Sequence, residues 1–481
     1  MKNILIITGL GFLIRIIFFF SYISEDPKRA FYTIDSYTYE FPAINLIEKK
    51  KYINDCPREI PEDFPEKCVP SNEPEIYRPP IYPLFIAIHY ILFGERREIV
   101  IFSQNIVDSL KIPVIYLISK NLGLVGIYSF VPSIIYAVSP SATVFTQTFM
   151  TETLQGFLLL MIVLILVSGN ISVKKSSLAG FLSGILSLLH PLWFFFSIAL
   201  PFLTLILSRK IKNFIFCGIA AFLVISPWII RNYMIWKIPI FRPGAHVFFC
   251  EIRDKMYKGK WIKLERQQFD LEILNKASER FGWNTKFEND EQVQNYNFDL
   301  TKQTQIANIC REEIVKKFWK YPIEIHIAGF IRLLPPFGIA QLYYMTTGNI
   351  KPSSQEMTRY IIPNILEGKI KETLEEIREK RLKLLPLKLW IFYTLGWLIR
   401  ISTLILSFLS IIRPKMKPVI LLFIFIYGTF IVTTFESAQP RRFYTVEPIL
   451  SILSVVGLIN FLGLIRRNQD QRNISHQKEE K

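Results

Sequence analysis

The chain has 481 residues, 51% of them hydrophobic and 14% aromatic with 40 Phe, and carries a formal net charge of +17. That apolar share exceeds what a soluble core of this length needs, and it falls in long runs rather than in helical or strand periods, which excludes a soluble globular enzyme. The charge does not point to nucleic acid, because in a membrane chain Lys and Arg crowd the cytoplasmic loops and orient the spans.

The chain reads as an all-α polytopic membrane protein. Apolar runs that approach the ~20 residues of a bilayer crossing lie at 4–23, 99–119, 122–140, 153–168, 176–193, 194–208, 213–230, 386–410, 418–435 and 446–465. The first lacks an A-x-A-like cleavage site and reads as an uncleaved signal-anchor. The apolar part of 80–93 is too short to cross and reads as an interfacial or re-entrant helix. Charge supports that choice. With ten spans and the N-terminus inside, Lys120, Lys174–Lys175, Arg209–Lys210–Lys212, Arg413–Lys415–Lys417 and Arg466–Arg467 share one face, all in short loops or tails.

The same orientation puts four regions outside: the first loop 24–98, the turn 140–152, the long segment 231–385 and the turn 436–445. The expected organisation is an N-terminal transmembrane module 1–230, an extracytoplasmic segment 231–385, C-terminal spans 386–465 and a disordered cytoplasmic tail 466–481. Within the first loop, 41–51 reads as an interfacial helix and the Pro- and acid-rich 57–75 as irregular. The long segment must hold structure of its own. In it, 322–347 is an apolar patch fit for an in-plane or re-entrant helix, and 368–383 an exposed helix with Glu/Lys pairs. Five cysteines are too few for a disulfide scaffold. Cys56 and Cys68 share the first loop, Cys250 and Cys310 the later one; four cysteines on an oxidising side allow three pairings, of which Cys56–Cys68 is the favoured one, with free thiols the equal alternative.

Charges inside the spans are scarce: Arg15, Asp108, Lys111 and Arg400. Asp108 and Lys111 stand three apart on one helix and can pair with each other, so the chemistry is expected at the outer surface. There Asp35 lies in IDSYTYE (34–40), Arg78 in IYRPPIYPLF (76–85), Glu152 in FMTETL (149–154), Arg231 in SPWIIRNY (226–233), and Arg441 and Arg442 in ESAQPRRFYTVEP (436–448). Each has an ordinary explanation alone. Glu152 is an acid at a helix start, favoured by the dipole; Arg231 beside Trp228 is an interfacial anchor. Two arginines at 441–442, on the face that should be poor in positive charge, ask for an anion.

Together, two carboxylates and several arginines suit a lipid phosphate bearing a sugar. Sugar transfer passes through an oxocarbenium-like state. The acceptor hydroxyl loses its proton to a carboxylate within reach, and arginines stabilise the leaving phosphate. The order Asp35, YRPPIYPLF, FMTETL, SPWIIRN, QPRRFYTVEP resembles integral-membrane glycosyltransferases of the GT-C fold, in the superfamily of protein O-mannosyltransferases and lipid A aminoarabinose transferases. The resemblance covers most of 1–240 and 385–465, with CREEIVKKFWKYPIEIHIAGFIRLL (310–334).

That resemblance implies a GT-C-like helical bundle with juxtamembrane helices and a large extracytoplasmic segment, in the plasma (inner) membrane. It implies transfer of a sugar, with inversion, from a polyprenyl-phosphate donor to a lipid, protein or glycan acceptor on the extracytoplasmic side. Asp35 would hold or deprotonate the acceptor, with Glu152 as second acid. Arg78, Arg231, Arg442 and its neighbour Arg441 would face the donor phosphate. Tyr82 and His246 are further candidate donor contacts, and Asp35 with Glu152 could hold a divalent cation such as Mg²⁺. Many relatives have a glycine after the prolines of YRPPIYPLF, and 231–385 does not align clearly, which leaves the acceptor open. The rival readings are a non-catalytic flippase or transporter, and a binding protein for polyprenyl-linked sugars; no internal repeat of the transporter kind is present. Nor are nucleotide-cradle, zincin or serine-hydrolase motifs.

Overall fold

The computed structural model describes residues 2–30, 34–56, 73–243, 245–258, 271–295, 299–321, 387–412, 416–435 and 443–479, with a few single positions between 323 and 375. Regular structure in these residues is helical; extended backbone pairs only at one antiparallel bridge, Ile53 with Pro74. Four helical stretches are long and apolar enough to cross a membrane: Lys2–Ile23, Arg97–Asn121, Pro191–Ser208 and Ile211–Trp236. Shorter apolar helices lie at Ile81–Phe93, Glu152–Val167, Thr394–Leu409, Lys417–Thr429 and Glu447–Gly463. The molecule is an integral membrane protein with an all-α fold.

Helix α1 (Lys2–Phe18) widens into a π-helical turn over Phe19–Ile23. It leaves Leu5, Ile6, Leu10, Leu13 and Ile17 exposed, a face that only lipid can cover. Helices α2 (Ile34–Glu48) and α3 (Ile81–Phe93) follow, then α4 (Arg97–Asn121). The start of α2 lies seven residues before the expected 41, because the helix runs through Pro42. An interior proline costs about 3 kcal/mol; here packing outweighs it, since Ser36, Tyr39, Glu40 and Ala43 are all buried. At 13 residues α3 is too short to cross, in line with the reading of 80–93.

The stretch 122–140 departs from the single span expected. It forms a 3₁₀ turn at Gly126–Ser129, then α5 (Val131–Ala137) and α6 (Pro140–Thr146). Pro140 opens α6, where its missing N–H costs nothing, and the Ser139 hydroxyl accepts from the Ala142 N–H. Residues 141–146, expected in an outer turn, are therefore a buried helix. Then come α7 (Glu152–Val167), α8 (Val173–Leu189), α9 (Phe194–Ser208) and α10 (Ile211–Trp236). A Cβ at Gly180 would strike the Cys217 carbonyl and one at Gly184 the Val224 side chain, so this small-xxx-small pair lets α8 and α10 touch backbone to backbone.

After α10 a separate unit forms from α11 (Ala245–Lys258), α12 (Leu271–Phe281), α13 (Asp290–Asn295) and α14 (Leu300–Lys316). Its own small core includes Ile273, Leu274, Phe287, Ile306 and Ile309. A Cys250–Cys310 disulfide clasps α11 to α14 across 60 residues of sequence, while Cys217 is free and buried. Arg253 is buried between Glu313 (2.7 Å) and Asp254 (2.8 Å). Of the favoured Cys56–Cys68 bridge, Cys68 lies outside the described residues, as do nearly all of 57–75, 322–347 and 368–383. The C-terminal helices are α15 (Leu387–Leu409), α16 (Met416–Phe435) and α17 (Glu447–Glu479). The last runs on past 465, into the polar stretch expected to be disordered.

Three of the four charges within the spans, Arg15, Asp108 and Lys111, meet in one closed cluster. Asp108 accepts from Arg15 Nε (2.6 Å), Lys111 Nζ (2.7 Å), the Tyr136 hydroxyl (2.7 Å) and the Tyr444 hydroxyl. Lys111 also donates to Tyr444 (3.0 Å), and Arg15 to the carbonyls of Gly11 (2.8 Å) and Ala137 (3.1 Å). The expected Asp108–Lys111 pair is present; Arg15, 93 residues from Asp108, is the partner that local spacing could not supply.

Candidate functional site

The loop between α1 and α3 and the end of α10 build a second polar cluster. Asp35 stands in the first turn of α2, where the free N–H groups favour a carboxylate. Its Oδ1 accepts from Arg78 Nη2 at 2.6 Å, with side-chain exposures of 27% and 12%, so the pair is partly accessible. Arg78 also donates to the Thr38 hydroxyl (2.9 Å) and the Tyr39 hydroxyl (3.4 Å), and lies over the Tyr39 ring at 4.5 Å. Burial works against the guanidinium charge, but Tyr39 and Asp35 beside it hold its pKa above the usual value. Arg78 is a fixed cation.

Glu75 mounts it. The Glu75 carboxylate Oε1 accepts from the backbone N–H of Tyr77 (2.5 Å) and of Arg78 (2.9 Å), shaping the turn ahead of the two prolines. The carbonyl of the same residue accepts from Arg231 Nη1 at 2.7 Å, and its N–H donates to the Tyr52 carbonyl at 3.1 Å. Arg231 completes its contacts with the Tyr52 carbonyl (3.3 Å), the Asn232 side chain (2.9 Å) and the faces of Trp228 (4.7 Å) and Tyr52 (5.6 Å). One buried residue thus positions both arginines. Burial pushes the Glu75 carboxyl pKa up, against the pull of the Arg78 N–H and guanidinium. Burial likewise raises the Tyr52 hydroxyl, whose oxygen donates its proton to the Arg78 carbonyl at 2.7 Å.

On the other side the cluster reaches α7. Tyr39 packs edge-on against Tyr82 at 5.2 Å, and Tyr82 donates to Gln104 (2.9 Å) and lies 6.1 Å from Phe149. Glu152, in the first turn of α7 and 1% exposed, is close enough to Tyr82 to act on it electrostatically. The Ser36 hydroxyl donates to the Met150 sulfur (3.4 Å), and the Phe149 N–H to the Ala30 carbonyl (2.9 Å), so the FMTETL turn is tied to the start of α2. A buried Glu40 fixes α2 from below. It takes Arg97 in two bonds of 2.7 and 2.9 Å and the Tyr90 hydroxyl at 2.5 Å.

Of the residues singled out in the sequence, Asp35, Arg78, Tyr82 and Arg231 are brought into this one network, and Glu152 is buried in the first turn of α7 within electrostatic reach of Tyr82. Arg441 and Arg442 lie outside the described residues, and His246 stands on α11 with a side chain outside them. Glu75, Thr38, Tyr39 and Tyr52 were not foreseen; an acid three residues before Arg78 was the available signal for Glu75. Among the described residues no group of three or more His, Cys, Asp or Glu could hold a metal ion. Asp35 faces the Arg78 guanidinium in this arrangement.

No family model and no curated protein matches the chain. The fold is similar to solved structures of ArnT from Cupriavidus metallidurans. To the apo form the TM-score is 0.38 at 10% identity, over 95% of this chain and 76% of that one. To the form bound to undecaprenyl phosphate it is 0.37 at 10% identity, over 96% and 78%.

Proposed function

We propose that the protein is a glycosyltransferase that moves a sugar from a polyprenyl-phosphate donor to a hydroxyl-bearing acceptor at the outer membrane surface. The observation that carries this reading is the partly open Asp35–Arg78 pair, mounted with Arg231 on Glu75 and joined through Tyr39 and Tyr82 to Glu152. It offers a carboxylate and two guanidinium groups to one ligand.

In this reading the donor phosphate draws Arg78 from Asp35 by bidentate, charge-assisted bonds. The freed carboxylate takes the proton of the acceptor hydroxyl as its oxygen bonds to the anomeric carbon. The bond from that carbon to the phosphate oxygen breaks, and the polyprenyl phosphate leaves with its charge held by Arg78 and Arg231. Attack opposite the leaving group inverts the anomeric centre. Glu152 orients the acceptor from the α7 side, and the prenyl chain lies along the lipid-facing grooves of the spans.

The test compares wild type with Asp35→Asn in vesicles, using a radiolabelled polyprenyl-phosphate sugar and mass spectrometry of the glycolipids and glycans formed. Loss of transfer with donor binding kept supports the reading. Unchanged transfer removes Asp35 from the chemistry, and no transfer by wild type while labelled lipid crosses the membrane replaces the enzyme with a flippase.

A further inference from the structure

The end of α14 and the residues just after it carry an apolar patch that no described residue covers. Val315 and Phe318 are each 67% exposed, Trp319 77% and Ile323 63%. A soluble face rarely gathers such residues without a partner. Exposed Lys316 and Lys320 flank them, and Lys317 points back, with its Nζ 3.7 Å from the Tyr257 ring centre. Two observations put this patch close to the bilayer. Phe330, seven residues beyond Ile323, packs against the core of the transmembrane bundle, and α11 of the same outer unit touches the membrane helix α16.

We propose that residues 315–323 form a foot by which the outer unit rests on the membrane, with Trp319 and Phe318 at headgroup level and Lys316 and Lys320 on anionic lipid phosphates. Trp belongs at such an interface because its ring is apolar and its N–H polar. Lysine with its long stem reaches the phosphates while the stem stays on apolar ground. A second protein would give the aromatic rings a dry pocket but would leave the two flanking ammonium groups without the dense negative charge that a phosphate surface supplies. The foot seats the cysteine-clasped unit on the same side as the Asp35–Arg78 pair, and its existence does not depend on the sugar-transfer reading.

The full chain is placed in vesicles containing an anionic phospholipid, with nitroxide labels at Trp319→Cys and, separately, at Val315→Cys, each in a Cys217→Ser background. Lys286→Cys, at a side chain 81% exposed, serves as the aqueous control. Collision with oxygen reports lipid and collision with a water-soluble nickel chelate reports water. The oxygen-to-nickel ratio at both 319 and 315 should exceed that at 286 by severalfold, and Lys316→Glu with Lys320→Glu should lower it. Ratios at both sites equal to the control overturn the proposal in favour of a free surface; protection from both quenchers overturns it in favour of a protein partner or a second copy.

Discussion

Two carboxylate–guanidinium pairs have the same 2.6 Å bond and opposite surroundings. Arg15–Asp108 is sealed: both side chains are 0% exposed, and Lys111, Tyr136 and Tyr444 take up the remaining capacity of Asp108. Arg78–Asp35 is 12% and 27% exposed, at the edge of its cluster. A sealed pair cannot change partner without opening the bundle, so its contribution is to tie α1, α4, α5 and the turn just before α17 together. The open pair can trade one anion for another. Bond length says nothing about this difference; access decides it.

Substitutions should separate the two pairs. Asp35→Asn is expected to lower sugar transfer by roughly 10²–10⁴-fold, with little change in the thermal unfolding midpoint in detergent. Asp108→Ala should do the reverse. It leaves two buried cations without a counter-charge, costing about 3–5 kcal/mol, read as lost folded yield and a lower midpoint. Lys111→Met keeps a one-to-one Arg15–Asp108 pair and should cost clearly less than Asp108→Ala in the same assay. An equal loss would mean that Lys111, not Arg15, is the main counter-charge.

Smaller effects sharpen the outer half of the comparison. Glu75→Ala leaves the N–H groups of Tyr77 and Arg78 without their acceptor, about 1–3 kcal/mol, and should raise the donor KM more than it lowers kcat. Glu75→Gln keeps an accepting oxygen and should restore the donor KM. It should also flatten one slope. Burial holds the Glu75 carboxyl above its ordinary value of 4.5, so the folded protein binds that proton more tightly than the unfolded chain does. Stability from this group is full below the ordinary value and is lost as pH rises through the folded one. Unfolding midpoints of wild type across that window should fall relative to Glu75→Gln.

The long apolar runs were legible because span length and composition are local properties; α1, α4, α9 and α10 follow them closely. Where one short-range signal met another, reading was harder. Pro42 looks like a helix start yet sits inside α2, and the apolar window 122–140 hides the break at Ser139–Pro140. At the site, Asp35, Arg78, Glu152 and Arg231 stand out as charges close to apolar runs. Glu75 does not, because its acid-rich, proline-rich surroundings suggest an irregular loop. Its role comes from one side chain and one carbonyl meeting groups from α10 and the Arg78 turn. Arg15 likewise carries no local hint of Asp108. Pairings set by the packing of distant helices are not written in any window of the chain.

The Cys250–Cys310 bond makes biosynthesis compartment-dependent. In the topology of the proposed function, with α11 and α14 on the extracytoplasmic side, the two thiols would meet an oxidant only after crossing the membrane, so assembly of this unit would wait on translocation and on the local redox machinery. A cell deprived of that oxidant should accumulate chains that have inserted their spans normally yet are cut by proteases between residues 250 and 310, giving a maturation defect distinct from an insertion defect.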